Sequence, residues 1–151
     1  MIFDTINKTV RVRVAGILIQ NGALLLIAHK KRGEIYWLLP GGGVGYGESL
    51  VQALEREFRE ELGIRVSVER FACMSDAIEP HGRRHILNIA FHCSYRDGEY
   101  RLGRERRLCD YGFFTPEEMA GMRLYPPINE TLSSIVEQRG CEPYLGSLWR
   151  M

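Results

Sequence analysis

The sequence predicts one mixed α/β domain. Its 151 residues match the size of a single domain and are too few for two of ordinary size. In the first third, short apolar runs alternate with turn residues, a pattern typical of β-strands. Residues 48–63 then change to a hydrophobic period near 3.6, which indicates an amphipathic helix. We therefore treat residues 1–151 as one folding unit.

Strand signals recur along the chain. Basic and apolar residues alternate at the start of 10–20, and Asn21-Gly22 then supplies a two-residue hairpin turn before the apolar run 23–28. These two runs are predicted to pair antiparallel. Further strands are predicted, in order, at 36–39, 64–71, 85–95, 100–102 (after a turn at Asp97-Gly98) and 108–114.

The strongest predicted helix lies between Glu48 and Gly63. Ser49 and Gln52 fit a capping box at its start, and Gly63 fits a left-handed end. A short helix is predicted to begin at 115–118, and a final one to run from 127 to 138. The first helix has an apolar stripe formed by Leu50, Leu54, Phe58 and Leu62, with Val51 alongside.

The charge balance excludes several protein classes. Lys and Arg total 20 and Asp and Glu total 19, so a formal charge of +1 argues against a strongly basic nucleic-acid binder and an acidic disordered tail. The longest apolar stretch, 23–28, is far shorter than the roughly 18 residues of a membrane span. No secretory signal pattern is recognised at the start of the sequence. We therefore expect a cytoplasmic protein without a membrane partner.

The cysteine and histidine positions do not indicate a zinc site. The four cysteines have no Cys-x-x-Cys spacing, and the four histidines do not supply paired ligands either. Reduced thiols are expected in a cytoplasmic protein, although the spacing alone leaves a single disulfide open.

Three glutamates on the predicted helix form the first candidate site. Glu57, Glu60 and Glu61 stand at positions i, i+3 and i+4, so they share one helix face at the border of the apolar stripe. Their mutual repulsion is relieved by a bound cation, and an all-oxygen cluster suits Mg²⁺ or Mn²⁺. The alternative is a solvated acidic face with ion pairs to Arg56 and Arg59, and the carboxylates alone do not decide between the two.

A glycine-rich segment precedes this helix. Five of the seven residues 41–47 are glycine, which permits close backbone approach to a ligand near the helix start. The segment lacks the Gly-Lys-[Ser/Thr] ending of a P-loop and the spacing of a dinucleotide-binding fingerprint. Taken alone, it is also compatible with a flexible loop between a strand and a helix.

The glycines and glutamates together resemble the Nudix box. Gly42, five residues, Glu48, seven residues and then the segment 56–64 (REFREELGI) match the pattern G-x5-E-x7-R-E-U-x-E-E-x-G-U. Phe58 is a mild departure, because that position is more often Ile, Leu or Val, but it remains apolar. The lead-in Leu39-Pro40-Gly41-Gly42 and the later segment 113–118 (FFTPEE) are also similar to this family, so the resemblance covers most of the chain.

The resemblance implies a fold, an activity and a metal site. The expected fold is an α/β/α sandwich around a mixed β-sheet, and the expected reaction is metal-dependent cleavage of a nucleoside diphosphate linked to a moiety X. Mg²⁺ is the implied ion, with Mn²⁺ possible. The implied metal ligands are Gly41, through its carbonyl, and Glu57, Glu60 and Glu61.

Further roles follow from the same resemblance. Arg56 is expected to pair with a neighbouring glutamate, and Glu48 to be structural. Glu57 has an alternative role in orienting or deprotonating the attacking water. Glu105, from a later arginine-rich segment, is a candidate general base or extra ligand; its alternative is a surface glutamate neutralising those arginines. The expected catalytic set is thus Arg56, Glu57, Glu60 and Glu105.

Substrate selection lies outside the box. Arg32 and Arg83 are candidate phosphate ligands, and Tyr36 and Trp37 are candidates for stacking on a base. Pro80 lies near the position where ADP-ribose-cleaving members often have a proline, which favours ADP-ribose or another nucleotide sugar. The alternatives are a (deoxy)nucleoside triphosphate pyrophosphohydrolase and, outside enzymes, a nucleotide-sensing module. The expected partner is a small nucleotide, nucleic acid is not expected, and a homodimer is possible.

Overall fold

The computed structural model describes residues 8–149, which form an eight-stranded mixed sheet with helices on both faces. In chain order the strands are β1 (Arg11–Gln20), β2 (Ala23–Lys31), β3 (Glu34–Leu38), β4 (Gly41–Gly43), β5 (Ile64–Ile78), β6 (His85–Gly98), β7 (Leu108–Phe114) and β8 (Tyr144–Ser147). The helices are α1 (Leu50–Leu62), α2 (Pro116–Met119) and α3 (Asn129–Val136).

The sheet has the order β3-β2-β1-β6-β5-β8, with β4 paired to β1 and β7 paired to β2. β1 and β2 form the expected antiparallel hairpin around Asn21-Gly22, through the pairs Ile19–Leu24 and Gln20–Ala23. β1 and β6 are parallel, as are β5 and β8, and the other pairs are antiparallel. The sheet is therefore mixed, as expected.

Side chains of the central strands alternate between two cores. On one face, Val14 and Leu25 pack with the α1 stripe that includes Leu54 and Phe58. On the other face, a second cluster joins the sheet to α2 and α3: Ala15, Ile17, Leu24, Leu26, Met119, Leu132 and Ile135. Burial of both faces explains the nearly continuous apolar run in β2. The α/β/α sandwich expected from the resemblance is confirmed.

Some element predictions need correction. Residues 100–102 are not a strand; the chain from 99 to 105 is irregular and lies against the end of α1. Tyr100 packs there between the rings of Tyr95 and Tyr111, with centroids 5.8 and 5.7 Å away, so aromatic packing replaces strand pairing. Val51 is 40% exposed and lies outside the stripe. The final helix is shorter than 127–138, and β4 and β8 were not predicted.

All four cysteines are free thiols. Among residues 8–149, no helix is both long and apolar enough to span a lipid bilayer.

Candidate active site

The site is built on α1, whose ends are fixed by the predicted caps. Ser49 accepts a hydrogen bond from the Gln52 N–H, and the Gln52 side chain accepts one from the Ser49 N–H. At the other end, Gly63 adopts a left-handed conformation with φ of 69° and donates its N–H to the Arg59 carbonyl. These local interactions set where the helix starts and stops. Glu57, Glu60 and Glu61 therefore all lie in the C-terminal half of α1.

The three glutamates of α1 line one cleft but differ in burial. Glu61 is 4% exposed. The side chain of Glu57 is 15% exposed, and that of Glu60 is 59% exposed. The helix face thus runs from core to solvent, as the spacing predicts. The carboxylates meet at the wall of a cleft of about 590 Å³.

The glycines of β4 allow the backbone to pass close to these carboxylates. A Cβ atom at Gly41 would collide with the Val14 carbonyl oxygen across the sheet, and one at Gly42 would overlap the Glu57 carboxylate. In return, the Gly41 N–H donates a 2.8 Å hydrogen bond to Oε1 of Glu61. The glycine-rich segment is therefore a strand at this point and forms part of the cleft wall.

Arg56 organises the outer part of the acidic face. Its Nε and Nη2 donate to the two carboxylate oxygens of Glu48 at 2.8 and 3.0 Å. Its Nη1 donates to Glu57 at 2.8 Å and to Glu60 at 3.3 Å, while Nη2 also donates to the Gly43 carbonyl at 3.0 Å. One guanidinium thus connects three glutamates and β4. It holds Glu57 in one orientation, in agreement with the pairing expected for Arg56.

Glu48 is held by neighbouring protein groups, an arrangement that suits the structural role expected for it. Hydrogen bonds from Arg56, which contribute most, and from the Gly45 N–H lower the pKa of Glu48 to about 2. Its carboxylate stays ionised and is fully engaged with neighbouring protein groups. Glu48 is also absent from the residues that line the cleft in the described part of the chain.

A loop after β6 brings Glu105 to the cleft. The Arg101 N–H donates to the Leu62 carbonyl at 3.0 Å, and the Gly103 N–H donates to the Glu61 carbonyl at 2.9 Å. The loop thereby satisfies carbonyl groups that the end of a helix leaves unpaired. Gly103 lies so close to α1 that a Cβ atom there would overlap the Glu60 carbonyl oxygen. Two residues further on, Glu105 lines the cleft opposite Glu61.

His29 of β2 is a member of the site that the sequence did not identify. Its Nε2 lies 3.6 Å from Oε2 of Glu105, and ligand atoms of His29, Glu61 and Glu105 all lie within 4.8 Å of one another. The ring is 13% exposed and makes an edge contact with Tyr36. The alternation of β2 predicts that His29 lies on the α1 side of the sheet, as Leu25 and Ile27 do. This placement alone does not indicate a function for His29.

Burial perturbs the ionisation of the groups in the cleft. Desolvation raises the pKa of Glu61 to about 8, although the Arg13 charge and the Gly41 N–H oppose this rise. Desolvation also raises the pKa of Glu57, against the hydrogen bond from Arg56. Burial lowers the pKa of His29. The carboxylates of Glu57 and Glu61 therefore need positive charge nearby, and a divalent cation fits this set of oxygen donors.

The same cleft has a basic side. Arg11, Arg13, Arg104 and Arg107 line it together with the acids. Arg13 is anchored by a 2.8 Å hydrogen bond from its Nη2 to the Leu39 carbonyl. The alternation at the start of β1 placed Arg11 and Arg13 on one strand face, but nothing local indicated that this face meets the glutamates. Carboxylates, which can bind a cation, and guanidiniums, which can bind phosphate, thus line the same cleft.

The predicted substrate residues have different placements. Tyr36 lines the cleft and makes edge contacts with His29 and Tyr125. Arg32, Trp37 and Arg83 are not among the described residues that line it.

The position of each of these three residues outside the cleft has a physical reason. Trp37 follows Tyr36 on the same strand and so points to the other face, where it packs on Phe114 with a centroid distance of 4.8 Å. Arg32 lies in the turn between β2 and β3, with φ of 53°. Arg83 lies in the loop between β5 and β6, where its N–H donates to Glu79. Contact of these three with substrate stays a prediction.

Comparison with known proteins agrees with the geometry. A family model described as the NUDIX domain matches residues 9–137. A curated relative, nucleoside triphosphatase NudI of Escherichia coli (strain SE11), is 32% identical over 128 residues, covering 76% of this chain and 89% of the relative.

Solved structures give the same picture. The solution structure of the Escherichia coli ORF135 protein is 28% identical with a TM-score of 0.71, and covers 90% of this chain and 95% of its own. An ADP-ribose pyrophosphatase from Streptococcus suis has a TM-score of 0.67, and covers 94% of this chain and 100% of its own. At 20% identity, this second structure supports the fold alone.

Proposed function

The chain belongs to the NUDIX family and is a pyrophosphohydrolase of nucleoside diphosphate derivatives; on that premise we propose that it cleaves its substrate in the cleft between α1 and residues 99–107. The observation that supports this location is the meeting of buried Glu61 with the arginines of the cleft. The negative charge of a phosphoanhydride repels a nucleophile until it is neutralised. Arginines neutralise this charge directly, and carboxylates do so through a bound divalent cation. The cleft combines them within about 590 Å³.

The proposed metal ligands are Glu57, Glu60, Glu61 and the Gly41 carbonyl, with Mg²⁺ as the ion. A divalent ion at this site neutralises phosphate charge and lowers the pKa of a bound water. Glu61 is the central ligand, because it is the most buried carboxylate of the three. Arg56 is a positioning residue: it contacts Glu57 and Glu60 and fixes their carboxylates before substrate arrives.

Glu105 is proposed as the general base. It comes from a segment separate from the metal-binding helix, and its side chain is 52% exposed, so water has access to it. Nε2 of His29 lies 3.6 Å from Oε2 of Glu105, which is too far for a hydrogen bond, so the carboxylate is able to accept a proton from an attacking water. Glu57 differs in this respect, since Arg56 already occupies one of its oxygens.

For the substrate we propose a nucleoside triphosphate ahead of a nucleotide sugar. The 32% identical relatives are named as nucleoside triphosphatases, and the arginines on the basic side of the cleft suit a chain of several phosphates. The case for ADP-ribose or another nucleotide sugar rests on Pro80, an exposed residue that does not line the cleft in the described chain. A cytoplasmic location and a homodimer remain predictions from the sequence.

Product analysis tests this proposal. The protein would be incubated with nucleoside triphosphates, oxidised guanine nucleotides, dinucleoside polyphosphates, ADP-ribose and UDP- or GDP-sugars, each with Mg²⁺, with Mn²⁺ and with EDTA. Phosphorus NMR separates the outcomes, because a triphosphate yields a monophosphate and pyrophosphate whereas a nucleotide sugar yields a monophosphate and a sugar phosphate. Cleavage of sugars alone would contradict the proposed substrate class.

A matched pair of variants tests the site. Glu61→Gln should reduce turnover by at least about a hundredfold, since it removes the most buried proposed ligand charge. Glu55→Gln removes the same charge from the solvent side of α1 and should leave turnover near that of the unmodified protein. Equal activity of the two variants would show that the metal site is wrongly assigned.

A further inference from the structure

We infer that His29 is a nitrogen ligand of the metal ion and that this ligand raises the affinity of the site for Mn²⁺ relative to Mg²⁺. The inference rests on the proposed function, because it concerns the ion held by Glu61 and extends the ligand set to His29 and to Oε2 of Glu105, whose other carboxylate oxygen keeps the proposed role as general base. Neither His29 nor Glu105 is part of the Nudix box, which covers residues 42–64. Both reach the cleft from outside it, on β2 and on the loop after β6.

The distances among the three side chains suit one ion. Metal–ligand bonds of about 2.1 Å place opposed ligands about 4.2 Å apart and adjacent ones about 3 Å apart. Ligand atoms of His29, Glu61 and Glu105 lie within 4.8 Å of one another, and Nε2 of His29 is 3.6 Å from Oε2 of Glu105. Movements of a few tenths of an ångström therefore bring all three into one coordination sphere.

The imidazole nitrogen is enclosed and has no partner. Nε2 of His29 is buried and accepts or donates no hydrogen bond within residues 8–149. A separation of 3.6 Å from Glu105 is too long for a hydrogen bond. Buried polar atoms in native proteins are nearly always paired, and an unpaired one calls for a specific explanation such as an ion. The free nitrogen faces two carboxylates, which are the companions of imidazole in mixed metal sites.

The backbone holds this ring in place. His29 is opposite Tyr36 on β3 and Leu108 on β7, and the pairing with β7 shifts register between Ala28 and His29. The extra residue of this irregularity is Cys109 on β7, so the alternation of β2 is unbroken and His29 stays on the same face as Ile27. The edge contact with Tyr36, at 5.7 Å between ring centroids, restricts the ring further. The nitrogen is thus presented to the carboxylates before any ion binds.

A nitrogen ligand changes which ion the site prefers. Mg²⁺ is a hard ion that favours oxygen donors and retains its waters, whereas imidazole binds the first-row transition ions well. Mn²⁺ accepts carboxylate oxygen and is the ion in that series nearest to Mg²⁺ in its ligand preference. Adding one imidazole nitrogen to the carboxylate ligands therefore raises the affinity for Mn²⁺ relative to Mg²⁺.

Pulsed electron paramagnetic resonance of the Mn²⁺-loaded full chain tests the inference directly. An imidazole nitrogen bound to Mn²⁺ produces a ¹⁴N modulation of the electron spin echo, and protein labelled with ¹⁵N-histidine must change that pattern. His29→Phe keeps an aromatic ring against Tyr36 but removes the nitrogen. His92→Phe is the matched control, because His92 is a half-buried histidine of β6 that does not line the cleft.

The expected result is nitrogen modulation in the unmodified protein and in His92→Phe, and its loss in His29→Phe. The Mn²⁺ dissociation constant should also rise about tenfold or more in His29→Phe, with a smaller change for Mg²⁺. Mn²⁺ binding without nitrogen modulation would overturn the assignment of His29 and leave the proposed function intact. Failure to bind Mn²⁺ at all would also overturn the assignment of His29, whereas the proposed function is overturned only if hydrolysis with Mg²⁺ is absent as well. If His29→Phe does not fold, the labelled unmodified protein still decides the question.

Discussion

Glu61→Gln should change how the stability of the metal-free protein depends on pH. Burial raises the pKa of Glu61 to about 8 in the folded protein, whereas an unfolded glutamate ionises near 4.5. The folded state therefore favours the protonated acid. Its contribution to stability is fully present below the unfolded pKa and is lost as the pH rises through the folded pKa. Glutamine has nearly the same shape, can still accept the Gly41 N–H, and does not ionise.

The size of the effect follows from the two pKa values. One pKa unit corresponds to about 1.4 kcal/mol, so the full difference is on the order of 5 kcal/mol. About 4 kcal/mol of this change falls between pH 5 and pH 9, because little of the loss has occurred at pH 5 and nearly all has occurred at pH 9. That is a large share of the total stability of a typical domain.

Urea unfolding measures the difference. Both proteins would be treated with EDTA and unfolded at intervals between pH 5 and pH 9, with circular dichroism as the signal. We expect the free energy of unfolding of the unmodified protein to fall with pH relative to that of Glu61→Gln. Saturating Mg²⁺ should remove most of this fall, because an ion that binds the folded carboxylate stabilises the folded state. Parallel curves for the two proteins in EDTA would refute the assigned burial and charge of Glu61.

Three further variants separate stability from activity. Leu54→Ala should lower the free energy of unfolding by about 2–5 kcal/mol, because it removes a fully buried side chain of α1; an unchanged urea midpoint would contradict its packing. Gly42→Ala should leave the urea midpoint nearly unchanged but reduce turnover, since the added methyl displaces the Glu57 carboxylate. Gly103→Ala should push its loop away from α1 and lower turnover by displacing Glu105, and a turnover equal to that of the unmodified protein would show that this loop does not position the base.

The part of the site that could be predicted is the part encoded locally. The capping box at Ser49 and the left-handed Gly63 depend on residues within one helical turn, so the ends of α1 follow from the sequence. The shared face of Glu57, Glu60 and Glu61 follows from helical spacing alone. The resemblance to the Nudix box added Gly41 as a candidate ligand beside these glutamates, but the run of three glycines was not predicted to form the strand β4.

The remaining part depends on contacts between distant segments. The parallel pairing of β1 with β6 joins residues more than seventy positions apart, such as Val14 and Ile89, and has no local signal. Residues 100–102 have strand-like composition, yet they pair with the end of α1 instead of another strand. Trp37 was a candidate for base stacking, but the pleat of β3 directs it to the sheet face that does not carry Tyr36 and the cleft. Position relative to the cleft is a tertiary property in each case.

The loop after β6 keeps Glu105 at a fixed position relative to the glutamates of α1. Its N–H groups from Arg101 and Gly103 cap the carbonyls of Leu62 and Glu61, so the loop is bonded to the backbone of the residue that carries the central carboxylate. A shift of α1 therefore carries the loop and Glu105 with it. Because a proton acceptor must stay within hydrogen-bonding reach of the attacking water, this backbone coupling supports the proposed role of Glu105 as the base. It also accounts for a glycine at position 103, where the approach to α1 leaves no room for a side chain.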